Sequence, residues 1–393
     1  MKKNKILYIG NFSFPDGNAS GKRVYANGKT LRELGYEVLF LGMDSEIDNT
    51  VSLKETKNSY DGFEFYNISY PKSNTEWLNF FKTFKKIIKF FNEEKISEEL
   101  NSIIFYGSLR LSILNYLILK WAQKRKIKTI VDCVDWLSVK TDNKLFDFVK
   151  WTDTTYHKVF FNKKVDAIIC ISEYLQNYYK RFVRKTIIIP PLSPFRDEKL
   201  KNKNGEKIKI IYAGLPFRKG KKIKNPEILK DRIDLIIDLL LKLKNKEIDF
   251  EFNIYGFNKD EYLEVLPQQA EKIKELESFI YFHGHQSNNF VVEELKKSDF
   301  TILLRDVKRD TMAGFPTKIS ESISYGVPVI INNTSDLKKY IINGVNGYMV
   351  ESEEDLENLA NDILNRKDKL KVDSNLFYYK NQVYLDELKK LWN

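Results

Sequence analysis

"AGFPTKISESISYGVPVII", Ala313 to Ile331, changes its hydrophobic period within one short stretch. Gly314 and Pro316 read as a loop. From Thr317 onward Ile319 and Ile323 recur at helical spacing, and Lys318, Glu321 and Ser322 fall at i, i+3 and i+4, on another face. Gly326 suits the left-handed residue that ends a helix, and Pro328 prevents continuation. "VPVII" is then a continuous apolar run of the kind found in a strand covered on both faces. A helix that hands over at once to such a strand predicts a parallel α/β sheet. The N–H groups of its first turn find no partner within the helix and point out of its N-terminus. Together with Lys318 they suit phosphates, while Glu321 suits a pair of hydroxyl donors.

The same switching recurs on both sides. "ILYIG", "YEVLFLG", "SIIFYGS", "KTIVDCVD", "DAIICIS" and "TIIIPP" are short apolar runs in the first half, and "SGKRVYANGKTLRELG" is a helix with Val24, Asn27, Leu31 and Leu34 on one side. The segment "TIIIPPLSPFRDEKLKNKNGEK" mixes proline with charge and reads as a linker. Then "IKIIYAG", "FEFNIYG", "FIYFHGH", "DFTILLR", "VPVII" and "GYMV" restart the scheme. The expected fold is α/β: two Rossmann-like doubly wound domains, 1–195 with a terminal helix 376–393, and 206–375. A chain of 393 residues is long enough for two cores.

No run of about 18 apolar residues crosses a membrane, and "MKKNKILYIG" is too short in its apolar part for a signal segment, so it reads as a first strand. Cys133 and Cys170 lie in apolar runs and read as buried reduced thiols of a cytoplasmic protein. The net charge of +11 favours an anionic partner.

Open α/β sheets bind ligands beyond the C-terminal ends of their strands. Beyond the first strand, "NFSFPDGNASGKR" offers Gly17 and Gly21 before a helix. It reads either as an anion-holding loop or as an ordinary turn capped by Ser20, and it lacks the G-x-G-x-x-G spacing of a dinucleotide site. Beyond "IKIIYAG" come Arg218 and Lys230, candidates to neutralise a diphosphate. "DFTILLR" ends at Arg305.

At this point "AGFPTKISESISYGVPVI" resembles the nucleotide-sugar signature of GT-B glycosyltransferases, in particular glycosyltransferase family 4: an acidic residue, Gly-Phe, a spacer, a second glutamate, then G-x-P-V-I. "NFSFPDGNASGKRVYANGKTLRELGYEV" is similar to the family's N-terminal loop and helix, and "NGVNGYMVE" to a later segment. The resemblance implies a nucleoside-diphosphate sugar bound by the C-terminal domain, an acceptor bound by the N-terminal one, and a terminal helix crossing back. It implies retention of configuration, no required metal and no cofactor beyond the donor substrate. By the resemblance Glu321 holds the ribose. Gly314, Phe315, Pro316 and Thr317 form the phosphate-binding approach to the helix. Lys230 and Arg218 hold the diphosphate, and Gly17 belongs to the N-terminal loop. Two positions depart from the family. Ala313 stands where a carboxylate is usual, with Asp306 and Asp310 as candidate substitutes. Asp135, at the end of the strand in "IVDCVDW", stands near a usual histidine and is the candidate catalytic carboxylate. His283 and His285 follow a C-domain strand, and His283 is a candidate donor-site residue.

"TEWLNFFKTFKKIIKFFNEEK" places Trp77, Phe81, Phe84, Ile88 and Phe91 in a stripe beside Lys82, Lys85, Lys86 and Lys89. It reads either as a helix lying on an anionic membrane through 77–91, fitting a lipid-linked saccharide acceptor, or as a core helix with a solvated face. The leading expectation is a bacterial-type glycosyltransferase of capsule, exopolysaccharide or cell-surface glycan synthesis. The alternative is a non-catalytic nucleotide-sugar-binding subunit. Nucleic-acid binding has net charge alone behind it and no recognition motif.

Overall fold

The apolar runs become strands because their β-branched and aromatic side chains can be buried on both faces of a sheet. In the computed structural model, residues 4–107, 112–136, 144–196, 207–364 and 370–393 are described. The chain divides into two compact units, Met1–Pro194 with Tyr379–Asn393, and Phe195–Tyr378. Part of the expected linker, 197–206, lies outside the described residues.

Unit 1 contains β1 (Lys5–Gly10), β2 (Glu37–Asp44), β3 (Asn58–Tyr60), β4 (Phe63–Ser69), β5 (Leu100–Tyr106), β6 (Lys128–Cys133), β7 (Ala167–Cys170) and β8 (Lys185–Ile188). They form one sheet in the order β3-β4-β2-β1-β5-β6-β7-β8, parallel except for the β3–β4 pair. The connection from β1 runs through a helix, Ala19–Glu33, to β2 on one side, and the chain later returns to place β5 on the other side of β1. The strand order therefore reverses at β1, which is where a doubly wound sheet opens a ligand crevice.

The helix Ala19–Glu33 buries Val24, Ala26 and Leu31 against this sheet. Its N-cap is Asn18, whose side chain accepts from the Gly21 N–H at 2.8 Å, so Asn18 and not Ser20 closes that turn. The terminal helix is shorter than expected, Gln382–Lys389. Its Tyr384 and Leu388, with Leu391 just beyond, join the apolar cluster that also holds Ile6, Tyr8, Val24 and Leu31, so the chain's last segment is built into unit 1. The Thr30 hydroxyl donates to the Tyr379 carbonyl at 3.0 Å, and Trp392 packs on Tyr36.

The stretch 77–91 also packs inward. Helices Asn74–Asn79 and Thr83–Glu93, with the turn Phe80–Lys82 between them, bury Phe80, Ile87, Phe90 and Phe91, with Phe90 against Tyr66 and Phe91 against Trp121. Phe81 is 42% exposed, and Trp77, Phe84 and Ile88 are half-buried, so the expected single stripe is divided between the core and the surface.

Unit 2 contains β9 (Ile208–Ala213), β10 (Phe250–Tyr255), β11 (Ile280–Phe282), β12 (Phe300–Leu303), β13 (Val329–Ile331) and β14 (Gly347–Met349). The order is β11-β10-β9-β12-β13-β14, every neighbouring pair parallel. This is the Rossmann order, with its reversal between β9 and β12. The helix Ile233–Asn245 buries Ile233, Ile236, Ile237, Leu240 and Leu243 completely, and the helix Thr317–Ser324 buries Ile319 and Ile323. Each such side chain contributes about 1.5–3 kcal/mol of burial. Gly326 has φ 73°; its N–H donates to Ile323 and the Val327 N–H to Ser322, which closes the last helical turn as expected.

Among the described residues no helix is long and apolar enough to cross a membrane, and no group of His, Cys, Asp or Glu is arranged to hold a metal ion. Cys133 and Cys170 are free, buried and directly paired in register across β6 and β7; burial raises both thiols and keeps them protonated.

Candidate functional site

The reversal point of unit 2 gathers charge. Asp231, in the loop that leads into Ile233–Asn245, is only 7% exposed and sits among three donors. Arg305, just beyond β12, donates from Nε to its Oδ1 at 2.7 Å. Lys318 donates from Nζ to its Oδ2 at 2.5 Å, and the Tyr212 hydroxyl on β9 donates to the same oxygen at 2.8 Å. The Lys318 ammonium also lies 4.2 Å from the centre of the Tyr212 ring, a favourable cation–π distance.

Each member has a local reason for its position. Gly214 follows β9 at φ 152°, and a Cβ there would come within 2.4 Å of Lys318 Nζ, so glycine leaves room for the ammonium. The Asn332 side chain clamps the Arg305 backbone, accepting from its N–H at 2.9 Å and donating to its carbonyl at 2.6 Å. The Arg232 N–H donates to the Leu304 carbonyl at 2.8 Å, which ties the Asp231 loop to the end of β12.

Burial alone raises the Asp231 carboxyl, but the charges of Lys318 and Arg305 outweigh it and hold the group well below the usual carboxylate range. Burial lowers Lys318, with Asp231 pulling the other way and the charges of Arg305 and Lys230 pressing it further down. Burial, then the Asp231 charge, raises the Tyr212 phenol far above its ordinary value. Two cations thus share one carboxylate, and the cluster keeps net positive charge beside the first turn of Thr317–Ser324. The N-cap residue Pro316 makes no side-chain cap hydrogen bond, and the Thr317 and Lys318 N–H groups, in the first turn, have no acceptor within the helix.

The sequence-derived candidates separate on this geometry. Lys318 and Arg305 meet at Asp231, and Lys230 lies near enough to press on Lys318. Lys318 and Glu321 are both half-buried on the same helix. Ser322 does not share their surface: it is fully buried, and its hydroxyl bonds the Thr301 hydroxyl on β12 at 2.8 Å and the Val327 carbonyl at 3.0 Å. Gly314 and Phe315 are buried; the Phe315 ring packs edge-on against Tyr340 and Phe377, so it anchors the loop while its backbone leads into the helix. Pro316 is the residue before the helix, and Thr317 is its first. Arg218 is exposed on the loop beyond β9.

His283 lies just beyond β11 at the edge of the sheet, two strand positions from β9, which carries Tyr212 of the cluster, and hence about 10 Å away by strand spacing. Its ring stacks on Tyr255 at 4.5 Å, its Nε2 is 2.7 Å from Asn253 Oδ1, and desolvation lowers it. The structure does not bring it to the Asp231 cluster. Ala313 is fully buried. Asp306 is engaged elsewhere, with Arg232 at 2.5 Å and Lys308 at 2.9 Å, so it does not stand free in place of the carboxylate usual at 313. Asp310 is half-buried, in the short helix Arg309–Ala313.

In unit 1, Gly17 is exposed in the loop before Ala19–Glu33, and Asp135 is exposed just beyond β6. The charged centre of this unit is different. Asp132, fully buried on β6, accepts from Tyr8 at 2.5 Å, from Arg23 at 2.7 Å and from Asn27 at 3.2 Å. Arg23 also donates to the Ile189 and Pro190 carbonyls at 3.1 Å. This network joins β1, β6, the first helix and the segment beyond β8. His157 is a buried structural residue stacked on Phe161, lowered to about 4 by burial and by Lys158.

Comparison with known proteins follows this division. Residues 228–376, which hold Asp231, Arg305 and the whole of Thr317–Ser324, match the family described as glycosyl transferases group 1. No curated protein sequence matches the chain. Among solved structures, the catalytic domain of starch synthase IV from Arabidopsis thaliana, bound to ADP and acarbose, is similar at TM-score 0.64 and 11% identity, covering 100% of this chain and 99% of that one. A glycosyltransferase from Rickettsia africae gives TM-score 0.61 at 14% identity, over 100% and 98% of the two chains. HepE of Anabaena, in complex with UDP, gives 0.59 at 13% identity over 98% of each. The resemblance carried by "AGFPTKISESISYGVPVI" stands: the fold is that of the GT-B glycosyltransferases, and the family match contains that stretch.

Proposed function

We propose that this chain, with its GT-B fold and a second unit matching the group 1 glycosyl transferases, moves a sugar from a nucleoside-diphosphate sugar to a saccharide or lipid-linked saccharide. The observation that carries the reading is the Asp231-centred cluster at the strand-order reversal, inside the family match and beside an uncapped helix N-terminus. Lys318 and Arg305, oriented by Asp231, would hold the diphosphate with the Thr317 and Lys318 N–H groups, and Lys230 and Arg218 would add charge from the neighbouring loop. Glu321 would accept hydrogen bonds from the ribose hydroxyls.

Chemically, the bond between the anomeric carbon and the β-phosphate oxygen breaks, and its electron pair leaves on that oxygen. Fixed positive charge and N–H donors stabilise the developing anion more than they stabilise the intact donor. The acceptor hydroxyl oxygen bonds the anomeric carbon with retention and gives up its proton, for which Asp135 is the assigned carboxylate. Unit 1 supplies the acceptor side, and the partly exposed Trp77, Phe81, Phe84 and Ile88 beside lysines would rest on an anionic membrane surface, as fits a product of capsule or cell-surface glycan synthesis.

The test is calorimetry with a panel of nucleoside diphosphates. Glu321→Ala is expected to weaken binding by about 1.5–3 kcal/mol while the fold persists. Unchanged affinity in the folded variant removes Glu321 from the site. A second reading, a nucleotide-sugar-binding subunit without turnover, is favoured by Ala313, whose buried methyl supplies no carboxylate. Transfer or slow hydrolysis by the wild-type chain with any donor eliminates it.

A further inference from the structure

The opposite edge of the unit 1 sheet carries a second concentration of charge. A cavity of about 430 Å³ opens at the N-terminal ends of β6 and β8, lined by Lys126, Lys128, Arg184, Lys185, Gln123 and Asp166. It lies at the reverse end of the strands from Asp135 and the loop beyond β1, so it is separate from the acceptor side assigned above.

Four cations meet one carboxylate there, and the carboxylate is already used. Asp166 Oδ2 accepts from the Thr129 N–H and from the Thr129 hydroxyl, each at 2.7 Å. Among the described residues none of the four cations makes an ion pair, although lysines elsewhere on this chain repeatedly do, as Lys5, Lys57, Lys219 and Lys272 show. Lys128 spends a hydrogen bond on the Leu391 carbonyl, in the docked terminal segment. Lys128 and Lys185 begin strands on either side of β7, about 10 Å apart by strand spacing, which is on the order of the Debye length at physiological salt. Burial lowers Lys128 and the Lys185 charge lowers it further, against the opposing pull of Asp166. Four cations held in a concavity with the single carboxylate of Asp166 leave an excess of positive charge, which focuses a positive potential and favours an anion there.

We propose that this cavity is a binding site for a phosphate-bearing ligand, most simply a diphosphate group, held by Lys126, Lys128, Arg184 and Lys185. The volume suits a small phosphorylated molecule, within the range of ligand pockets. Arg184 supplies a planar fork for two phosphate oxygens, and the lysines act as point charges. Because Lys128 also holds Leu391, occupancy bears on the strands and the terminal segment together, so ligand binding raises the resistance of unit 1 to unfolding.

The probe is inorganic pyrophosphate, titrated calorimetrically into the full chain, with Arg184→Gln/Lys185→Gln as the variant and a melting curve to verify folding. Neither residue is buried, so the double variant is expected to fold. Removing two of four charged donors is expected to weaken the pyrophosphate event by at least about tenfold. Glu321→Ala is expected to retain it. Where the donor site of unit 2 also takes pyrophosphate, the wild type shows two events and the double variant one. A parallel sedimentation arm uses phosphatidylcholine vesicles containing phosphatidic acid. Weakened vesicle binding in the double variant with no soluble pyrophosphate binding assigns the phosphate to a lipid headgroup, and the reverse assigns it to a soluble ligand. Identical isotherms and identical vesicle binding for the wild type and the folded double variant overturn the proposal.

Discussion

Replacing Asp231 with asparagine keeps its shape and removes its charge. Three donors converge on the carboxylate, two of them cationic, and its 7% exposure leaves little water to take over. Asparagine can still accept one of these hydrogen bonds, but it turns an amide toward a donor and leaves Lys318 and Arg305 facing each other. Losing a charge-assisted hydrogen bond costs about 1.5–3 kcal/mol, and leaving buried charge uncompensated about 3–5. Lys318 is 27% exposed, so water relieves part of this, and about 3 kcal/mol is expected. For a unit spanning Phe195–Tyr378 that lowers the melting transition by roughly 6–12 °C. The pH dependence gives the sharper test. The folded carboxyl lies well below the ordinary value, so its contribution is complete above that value and is lost as pH falls toward the folded one. With an unfolded pKa of about 3.9, the gap between wild type and Asp231→Asn stays constant from about pH 7 to pH 5 and narrows by about 0.7 kcal/mol at pH 3.5. Urea unfolding of both proteins across this range measures it. A gap below about 1 kcal/mol at pH 7, or one that does not change with pH, refutes the assignment of Asp231 as the ionised centre of the cluster.

The alternation of apolar runs was enough to read two doubly wound sheets, since each run that became a central strand carries its burial in its own composition. The hairpin β3–β4 was missed, although Asp61 and Gly62, at φ 48° and 74°, form the Asp-Gly turn that signals one. Lys318, Glu321 and Arg305 were legible because they lie close to a motif or a strand end. Asp231 was not. It sits next to Lys230 in a charged loop, and only folding distinguishes the exposed lysine from the buried carboxylate. Asp132 had a signal that went unused: a carboxylate inside "KTIVDCVD" must be buried, and a buried charge needs a partner, which Arg23 supplies across 109 residues of chain. Helical spacing alone also misled for Ser322. It predicted a shared face with Lys318, but a hydroxyl can satisfy itself against Thr301 and Val327, so burial cost it little.

Asp132→Ala is expected to destabilise unit 1 by about 3–5 kcal/mol, because Arg23 would remain buried without its counter-charge; calorimetric melting that shows a loss under about 1 kcal/mol contradicts this. Replacing Phe81, Phe84 and Ile88 with serine is expected to abolish sedimentation with anionic vesicles while leaving the melting curve nearly intact, since none of the three is fully buried; an unchanged sedimentation profile removes this surface from the membrane. Gly256→Ala addresses the backbone that supports the unit 2 site. Gly256 has φ 120°, and a Cβ added there would lie 2.4 Å from the Gly214 carbonyl oxygen. Gly214 is itself the residue that makes room for Lys318 Nζ, and its N–H donates to the Tyr255 carbonyl at 2.8 Å. The clash is with backbone, so no rotamer relieves it. Strain of about 1–3 kcal/mol adds to overpacking of similar size. If Gly214 shifts to absorb the methyl, Lys318 moves with it, so the variant is expected to lose both stability and nucleotide affinity. Stability loss with affinity retained would mean that the Gly214–Gly256 contact supports the sheet alone and does not position Lys318.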